Sequence, residues 1–388
     1  MSTVNSGPQI VRNGLVLDLD ASYMRSYSPN VMPNPTDIFA WCGGAGVNAC
    51  TISRDATMSR QYGSIPLKMV ISGTDPYIAS YASSAWNLAP AANGQTWTVS
   101  VYAKASTVTT GELFFFGADS SGNYGGAGTY GGSVTVNIGT SWTRVSASFT
   151  ISGVNVAYAQ IRLDGTQAGG AGITIWWDGL QVERASSATQ FNPYYFGNTS
   201  WRDVSGNARN GTLTSGPLFN SSNGGNIIFN GSTQYVIFPS GGSYSEYTFM
   251  FFCKWITDTA NGSRIFGSDG FGTYTVFTPS NVGFHYNQAA GSSTTISSGV
   301  NVGLGTWCHV AVTVSALSTF AYIYINGTLR NGSNAPPYVN LSGNLFLGAQ
   351  NSGLFANCNI ASFQLYNRVL AASEISQIYQ ATKSRFGL

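Results

Sequence analysis

The chain has little charge. Only 8% of its 388 residues are Asp, Glu, Lys or Arg, the formal net charge is +2, and the four lysines lie singly along the sequence. Nucleic-acid binding requires clustered Lys and Arg to neutralise phosphates, so this composition excludes a nucleic-acid partner. No apolar run reaches the length of a membrane span, and the start, MSTVNSGPQIVRNG, has neither the basic nor the apolar part of a signal peptide. We therefore expect no membrane partner and no export by a recognisable signal.

Motifs of catalysis are also missing. The sequence has no GxSxG, HExxH, Walker loop or helix-opening GxGxxG, and its only histidines are His285 and His309. His309 lies in the strand-like run WCHVAVTV, where we expect a half-buried structural histidine rather than a catalytic base. Nothing in the sequence points to a Ser/His/Asp set.

Two pairs of acidic residues could supply the two carboxyl groups that a glycosidase needs. Asp18 and Asp20 are two residues apart, so on a strand they share one face, opposite the leucines of GLVLDLDAS. The alternative is that they form a solvent-exposed face, which we favour. Asp178 and Glu183 lie in WWDGLQVER, where a structural hydrogen-bonding role is the favoured alternative.

The five cysteines include no CxxC pair. Cys42 and Cys50 flank GGAGVNA and face each other across an expected hairpin. Both a disulfide and two free thiols fit this spacing, and assembly in the cytoplasm favours the thiols.

Glycine, Ser, Thr and Asn are abundant beside 22 Phe, 21 Tyr and 9 Trp. Short runs of alternating apolar and polar residues, such as TWTVSVYAKA and FAYIYINGTL, recur throughout, and Asn-Gly pairs separate several of them. This pattern predicts an all-β protein of two antiparallel β-sandwich domains. One short C-terminal helix is predicted in VLAASEISQIYQATK, where Ile375, Ile378, Tyr379 and Thr382 form a single stripe.

Several segments together resemble a laminin-G-like, concanavalin-A-like lectin sandwich. They include WRDVSGNARNGTL, GGNIIFNGSTQYVIFP, GTWCHVAVTVS and LFLGAQNSGLFANCNIASFQLYNRVLAASEI. In that family a strand of the type GLVLDLDAS comes directly before the first of these segments. Here that strand ends near Ser22, almost two hundred residues upstream of Trp201.

The intervening segment resembles a carbohydrate-binding-module-like jelly roll, with the closing phrase WWDGLQVERASSATQFNPY. The two resemblances together imply a discontinuous lectin-like sandwich, residues 1–28 plus 197–388, and an inserted jelly roll, residues 29–196. Such an arrangement requires that the two insertion points lie close in space.

The opening strand GLVLDLDAS and the ending YQATKSRFGL resemble those of lectin-like domains in bacteriophage structural proteins, particularly cyanophages. This resemblance implies a virion component, such as an appendage, a tail fibre tip or a capsid decoration, assembled in the host cytoplasm. Its expected partners are other virion proteins and further copies of the chain, with a trimer as the first expectation.

Carbohydrate binding would use aromatic rings in glycine-rich loops, where rings stay exposed and a ligand can approach the backbone. These rings are Tyr124 and Tyr130 in SGNYGGAGTYGG, and Phe271 and Tyr274 in DGFGTY. The alternative is that they pack on a neighbouring subunit or cap the sandwich.

Calcium is the cofactor worth testing, because lectin-like sandwiches often hold one through carboxylate, amide and carbonyl oxygens. The candidate ligands are Asp203, Asn207 and Asp269. The alternative, which we favour, is that Asp203 and Asn207 form Asx turns around Gly206 and that no cofactor is bound.

Three functions remain open: a structural virion protein, an adhesin that recognises host surface polysaccharide, and a glycan-degrading enzyme. The first two are compatible with each other, and the third lacks a catalytic constellation. We therefore expect a non-enzymatic protein.

Overall fold

The computed structural model describes residues 10–33, 35–42, 47–60, 64–79, 87–166, 170–194, 199–240, 242–257, 263–269, 274–278, 281–287, 293–315, 317–334, 341, 343–350 and 353–388. The chain divides into two compact units. The discontinuous unit comprises Met1–Tyr27 and Thr199–Leu388, and the central unit is Ser28–Asn198. These bounds differ by one or two residues from those expected from the sequence.

Strands dominate both units. The discontinuous unit opens with β1 (Leu15–Asp20). The central unit follows with α1 (Ile38–Cys42), β2 (Val47–Asn48), β3 (Cys50–Arg54), β4 (Leu67–Ile71), β5 (Tyr77–Ala79), β6 (Ala89–Pro90), β7 (Thr96–Ala105), β8 (Thr109–Ala118), β9 (Tyr130–Ile138), β10 (Thr143–Thr150), β11 (Tyr158–Asp164) and β12 (Thr174–Glu183). The discontinuous unit then resumes with β13 (Ser200–Trp201), β14 (Gly211–Thr214), β15 (Leu218–Asn220), β16 (Asn226–Asn230), β17 (Tyr235–Pro239), β18 (Glu246–Thr257), β19 (Ser263–Ser268), β20 (Tyr274–Thr278), β21 (Asn281–Asn287), β22 (Ser293–Ser297), β23 (Trp307–Ser315), β24 (Phe320–Ile325), β25 (Thr328–Asn334), β26 (Asn344–Leu347), β27 (Asn357–Tyr366) and α2 (Ala372–Thr382).

The discontinuous unit contains two antiparallel sheets. Sheet A has the order β15-β16-β27-β18-β23-β24-β25, with β1 also paired to β27, and sheet B has the order β13-β14-β17-β26-β19-β20-β21-β22. A single core contains apolar side chains from both sheets, including Leu17, Phe251 and Phe266. These side chains alternate with outward-facing residues along each strand, as expected for two packed sheets.

The central unit also contains two antiparallel sheets. Sheet C has the order β10-β7-β12-β4-β3, and sheet D has the order β2-β5-β11-β8-β9 with β6 beside β11. Trp97 of sheet C stacks on Phe115 of sheet D with 5.8 Å between ring centroids. Aromatic rings thus connect the two sheets of this sandwich.

Strand β1 completes one edge of strand β27 in sheet A. It pairs with β27 from Asp20 opposite Ser362 to Leu15 opposite Tyr366, while β16 pairs with the other half of the same edge of β27. Leu17 and Leu19 of β1 are fully buried in the core. The N-terminal segment is therefore an integral part of the discontinuous unit.

Helix α2 covers the outer face of sheet A. Ile375 and Ile378 are buried against Met250, Ala311 and Tyr366, among other residues of this face. The prediction of an all-β protein with a short C-terminal helix is confirmed, and the five-residue α1 is an addition to it. Cys42 and Cys50 are present as thiols and are not joined by a disulfide. Within the described part of the chain, no helix combines the length and hydropathy needed to cross a membrane.

Candidate functional site

The outer face of sheet D carries a group of partly exposed aromatic and charged side chains. Neighbouring residues on a strand point to opposite faces. Leu113 and Phe115 of β8 are fully buried in the core, so Phe114 between them points outward, where it is half-buried. Arg162 of β11 lies directly opposite Phe114 in the strand register and shares this outer face.

Arg162 lies between two aromatic rings. Its guanidinium carbon is 4.2 Å from the centroid of Phe114 and 4.4 Å from that of Tyr77, a residue of the neighbouring β5. The same guanidinium pairs with the carboxylates of Asp164 and, at 3.3 Å, Asp75. A planar cation held in this way fixes the positions of both rings. We call the set Tyr77, Phe114, Arg162, Asp75 and Asp164 the Arg162 cluster.

The loop that follows β8 covers one end of this face. Tyr124 in that loop packs on Phe116 of β8, with 4.4 Å between ring centroids. Gln160 of β11 is fully buried, and its Nε2 donates to the carbonyl of Gly122 at 3.0 Å and to Oδ1 of Asn87 at 2.8 Å. Its Oε1 has no hydrogen-bond partner within the described residues. Phe116 stacks in turn on Phe114, so the loop and the Arg162 cluster are continuous.

This face can offer three kinds of contact to a sugar. The partly exposed rings of Tyr77 and Phe114 supply apolar surface for a pyranose ring. The exposed part of the Arg162 guanidinium supplies donors, and the Asp75 carboxylate supplies acceptors, for its hydroxyls, whereas Asp164 is fully buried. Burial raises the pKa of Asp164 to about 7, and the Arg162 guanidinium opposes that rise.

The structure describes the side chains of two of the four aromatic residues predicted to bind sugars. Tyr124 lies on the outer face of sheet D. Tyr130 is partly buried and packs against the core, with 6.2 Å between its ring centroid and that of Phe115. Phe271 lies outside the described residues. Tyr274 belongs to β20 of the discontinuous unit, where it pairs with His285, and its side chain lies outside what the structure describes.

Two of the three candidate calcium ligands form a hydrogen-bonded turn. Oδ1 of Asp203 accepts from the backbone N–H groups of Asp18 at 3.0 Å and Ser205 at 2.8 Å. Oδ2 accepts from Ser205 Oγ at 2.9 Å and from the Arg209 N–H at 3.0 Å. Asn207 uses its Nδ2 to donate to the carbonyl of Val16 and to Ser205 Oγ. Asp203 therefore forms the Asx turn of the favoured alternative, because its Oδ1 accepts from the N–H two residues on, whereas Asn207 supports the turn as a donor.

Asp269 lies elsewhere, just after β19, where its Oδ1 accepts from the Asn344 N–H at 2.7 Å. Across the described ranges, no group of three or more His, Cys, Asp or Glu side chains is arranged to hold a metal ion. Both oxygens of the Asp203 carboxylate, and Oδ1 of Asp269, already accept hydrogen bonds from the protein.

We expect Asp203→Ala to destabilise the discontinuous unit by about 2–4 kcal/mol, because it removes the acceptor of four hydrogen bonds. Urea denaturation of the full chain measures this loss. Asp269→Ala is the matched control and should cost less, because the Asp269 carboxylate accepts from one backbone group, the Asn344 N–H, where Asp203 accepts from several. A melting temperature that rises with added calcium in the parent chain but not in Asp203→Ala would contradict the turn interpretation.

The acid pair of the central unit has a structural role. Glu183 is fully buried and accepts from the backbone N–H and hydroxyl of Thr189 and from Nε2 of Gln181. Asp178 is buried and accepts from the hydroxyl of Ser64 at 2.8 Å. Burial raises the pKa of both carboxyls. The Asp178 bond connects β12 to the segment before β4, and the Glu183 bonds hold the end of the closing phrase against β12.

The other acid pair is partly enclosed, so the prediction of a solvent-exposed face is wrong for Asp18. Asp18 is 6% exposed because α2 lies over this face of sheet A, whereas Asp20 forms an ion pair with Arg385 at 3.0 Å. A cavity of about 50 Å³ between sheet A and α2 is lined by Asp18, His309, Gln364 and Thr382, among others. Burial raises the pKa of Asp18 to about 7 and lowers that of His309 to about 3. Neither ring nitrogen of His309 has a hydrogen-bond partner within the described chain.

Comparison with known proteins identifies the class of the discontinuous unit. Residues 230–376 match the family model Laminin_G_3, described as the concanavalin A-like lectin/glucanases superfamily. The match covers less than half of the chain and lies wholly within the discontinuous unit. The discontinuous unit therefore has a concanavalin-A-like fold, and residues 230–376 are similar to that superfamily. A search of the curated proteins gives no match.

Solved structures with a similar fold include binding domains of toxins. The binding domain of Paraclostridial Mosquitocidal Protein 1 has 16% identity and a TM-score of 0.41, over 46% of this chain and 48% of that one. The binding domain of botulinum neurotoxin DC in complex with SialylT has 17% identity and a TM-score of 0.41, over 47% and 48%. The chain thus spans about half the length of these toxin domains.

Domain 4 of AbnA, a GH43 extracellular arabinanase from Geobacillus stearothermophilus, in complex with arabinotriose, is a further similar structure. It has 18% identity and a TM-score of 0.40, over 46% of this chain and 92% of that one. At these identities and scores the likenesses concern the fold and do not assign a ligand to this chain.

Proposed function

We propose that this chain is a non-catalytic glycan-binding protein and that the outer face of sheet D is its saccharide site. The observation that carries the proposal is the Arg162 cluster, in which a guanidinium is held between two partly exposed rings at 4.2 and 4.4 Å. The rings provide stacking surface, and the fixed charged groups provide hydrogen bonds to hydroxyls. A rigid site of this kind loses little conformational entropy when a sugar binds.

The non-catalytic part of the proposal is supported by the roles of the acids. A glycosidase requires two carboxyl groups on either side of a reachable sugar bond. Asp178 is buried and accepts from Ser64, Glu183 is buried and accepts from Thr189, and Asp18 lies under α2. None of these three carboxyls faces open solvent.

We further propose that the chain is a structural protein of a bacteriophage virion, located on an appendage, a tail fibre tip or a capsid decoration. The support is the likeness of its opening strand and its ending to lectin-like domains of phage structural proteins. In this setting its partners would be other virion proteins and further copies of the chain, with a trimer as the first expectation. Glycan binding would then make it a receptor-binding adhesin for host surface polysaccharide.

The glycan proposal is tested by screening the full chain against an array of polysaccharides and then measuring affinity by calorimetry. We expect Phe114→Ala to lower the affinity for the best-binding saccharide by about tenfold or more, because it removes one stacking ring and one contact that holds Arg162. Its melting temperature should change little, because the ring is only half-buried.

Trp142→Ala is the matched control for this experiment. Trp142 is another half-buried aromatic residue of the central unit, and it lies next to β10 in the opposite sheet, so its removal should leave the affinity unchanged. Equal affinities for Phe114→Ala and Trp142→Ala would refute the site, and release of oligosaccharides by the parent chain would refute the non-catalytic role. Absence of the chain from purified bacteriophage virions would refute the virion assignment.

A further inference from the structure

Strand β9 is the longest edge strand of the central unit. It pairs with β8 along its whole length, from Tyr130 opposite Gly117 to Ile138 opposite Thr109. It is the last strand of sheet D, so within the described chain its other edge has no partner strand. In an antiparallel sheet, every second residue of an edge strand directs its N–H and C=O away from the sheet. The open edge of β9 is therefore a row of backbone donors and acceptors.

The other sheet edges of the described chain are protected against pairing. Strands β2, β6, β13 and β15 have two or three residues, and β22 has five. Strands β1, β3, β10 and β25 each contain at least one charged residue. Short length and charge are common means of preventing edge-to-edge pairing. Strand β9 has nine residues, YGGSVTVNI, with no charge and no proline, so it has neither protection.

The side chains of β9 also suit a partner strand. Ser133, Thr135 and Asn137 are exposed on the outer face of sheet D, and their neutral groups do not repel identical groups. Val134 lies opposite Leu113 and shares the core-facing side of the sheet, yet it is 40% exposed. The core therefore ends, at this edge, in an apolar side chain that is only partly covered.

We propose that β9 pairs with β9 of a second copy of this chain, antiparallel and around a two-fold axis. Two identical strands suit this arrangement because the same edge serves on both sides. Full overlap of the nine residues places Val134, the central residue, opposite its own copy, and the two apolar side chains cover each other. The pairing forms about eight to ten backbone hydrogen bonds, as many as a typical protein–protein interface contains.

The contact joins sheet D of the two copies into one continuous sheet. Three strand spacings then separate the two β8 strands, which places them about 14 Å apart at about 4.8 Å per spacing. Because the two-fold axis is perpendicular to the sheet, both outer faces lie on the same side, and so do both Arg162 clusters. A gain in avidity from the paired clusters rests on the proposed function, whereas the contact itself does not. A two-fold contact produces a dimer, which differs from the trimer expected for a virion protein.

Size-exclusion chromatography with light scattering, over a range of concentrations of the full chain, tests the proposal. We expect the mass of two chains for the parent. Val134→Lys should raise the dissociation constant of the dimer by about tenfold or more, because it places like charges opposite each other and removes the apolar contact. Leu304→Lys is the matched control: Leu304 is an exposed apolar residue of the discontinuous unit, so the dimer should persist. Phe114→Ala should also remain a dimer, which separates failure of the saccharide site from failure of this contact.

Cysteine variants locate the contact even if Val134→Lys melts below the parent. With oxidised glutathione as the oxidant, Val134→Cys should form a disulfide between two copies, whereas Leu304→Cys should not. A mass of one chain at all concentrations, a trimer, or unchanged association of Val134→Lys would each overturn the proposal. Equal cross-linking of the two cysteine variants, or cross-linking of neither, would overturn it as well.

Discussion

A chain that begins at residue 29 should fail to fold its discontinuous unit, whereas a chain in which Ser28 is joined to Gly197 should keep that unit folded. Without β1, half of one edge of β27 has no partner, and an open strand edge promotes aggregation. The deletion also removes Leu17 and Leu19, which are fully buried. Burial of each leucine contributes about 1.5–3 kcal/mol, and a whole domain is stable by only about 5–15 kcal/mol.

Thermal melting followed by tryptophan fluorescence measures this effect, because Trp201, Trp255 and Trp307 are buried in the discontinuous unit. The chain that lacks residues 29–196 is the control for loss of length. A synthetic peptide of residues 10–28, added to the chain that begins at residue 29, should restore the melting transition of the discontinuous unit. If the chain that begins at residue 29 shows the transition of the parent, the N-terminal strand is dispensable and the discontinuous-domain interpretation is wrong.

The second large effect concerns the cavity beneath α2. The pKa of Asp18 is about 7 in the folded chain, against 3.8 for an aspartate in an unstructured peptide, so the folded chain binds this proton more tightly. The protonated carboxyl of Asp18 therefore makes its full contribution to the free energy of unfolding below about pH 4. This contribution is lost as the pH rises through about 7. Roughly three pKa units correspond to about 4 kcal/mol, at about 1.36 kcal/mol per unit.

Asp18→Asn should stabilise the chain at about pH 8 by up to about 4 kcal/mol, because an amide resembles the protonated carboxyl and needs no proton. Urea denaturation at pH 5 and pH 8 measures this gain, which should fall to roughly 1.6 kcal/mol at pH 5, because that pH is only about 1.2 units above the pKa of 3.8 in the unfolded chain. Asp20→Asn is the matched control. It breaks the ion pair with Arg385 and removes one like charge beside Asp18, so any gain at pH 8 should be much smaller than that of Asp18→Asn. An equal gain in both variants, or a gain in neither, would argue against a buried protonated Asp18.

His309 adds a second readout to the same experiment. Its pKa is lowered from 6.5 to about 3, so stability from its neutral ring is complete above pH 6.5 and is lost as the pH falls toward 3. Between about pH 4 and 6.5 this loss on acidification opposes the gain from Asp18. The Asp18→Asn variant should therefore lose stability more steeply on acidification than the parent. Equal slopes in parent and variant would show that the two groups do not offset each other.

Sequence periodicity was enough to predict the type of the main elements. The stripe through Ile375 and Ile378 predicts a helix, and both residues are buried where α2 meets sheet A. Periodicity says nothing about what a helix covers. Alternation in β1 correctly separates aspartates from leucines, but only the position of α2 shows that Asp18 is enclosed.

The candidate site was harder to predict. Loop composition identifies Tyr124, which does lie on the outer face of sheet D. Phe114 belongs to the uninterrupted apolar run LFFFG, where no alternation shows which ring points outward. Arg162 is 48 residues from Phe114 in sequence, and only the strand register places them opposite each other. A site assembled from three strands in this way leaves no local motif.

The position of β1 also has a consequence for synthesis on the ribosome. Asp20 pairs with Ser362, so at about 5–20 residues per second β1 waits roughly 20 to 70 s for its partner strand. The central unit emerges during this interval and can fold first. Meanwhile the leucines of β1 are exposed, and Asp18 and Asp20, which flank Leu19, keep this short segment from pairing with other nascent chains. The carboxyl of Asp18 thus protects the strand before folding and becomes a buried group once α2, made last, covers it.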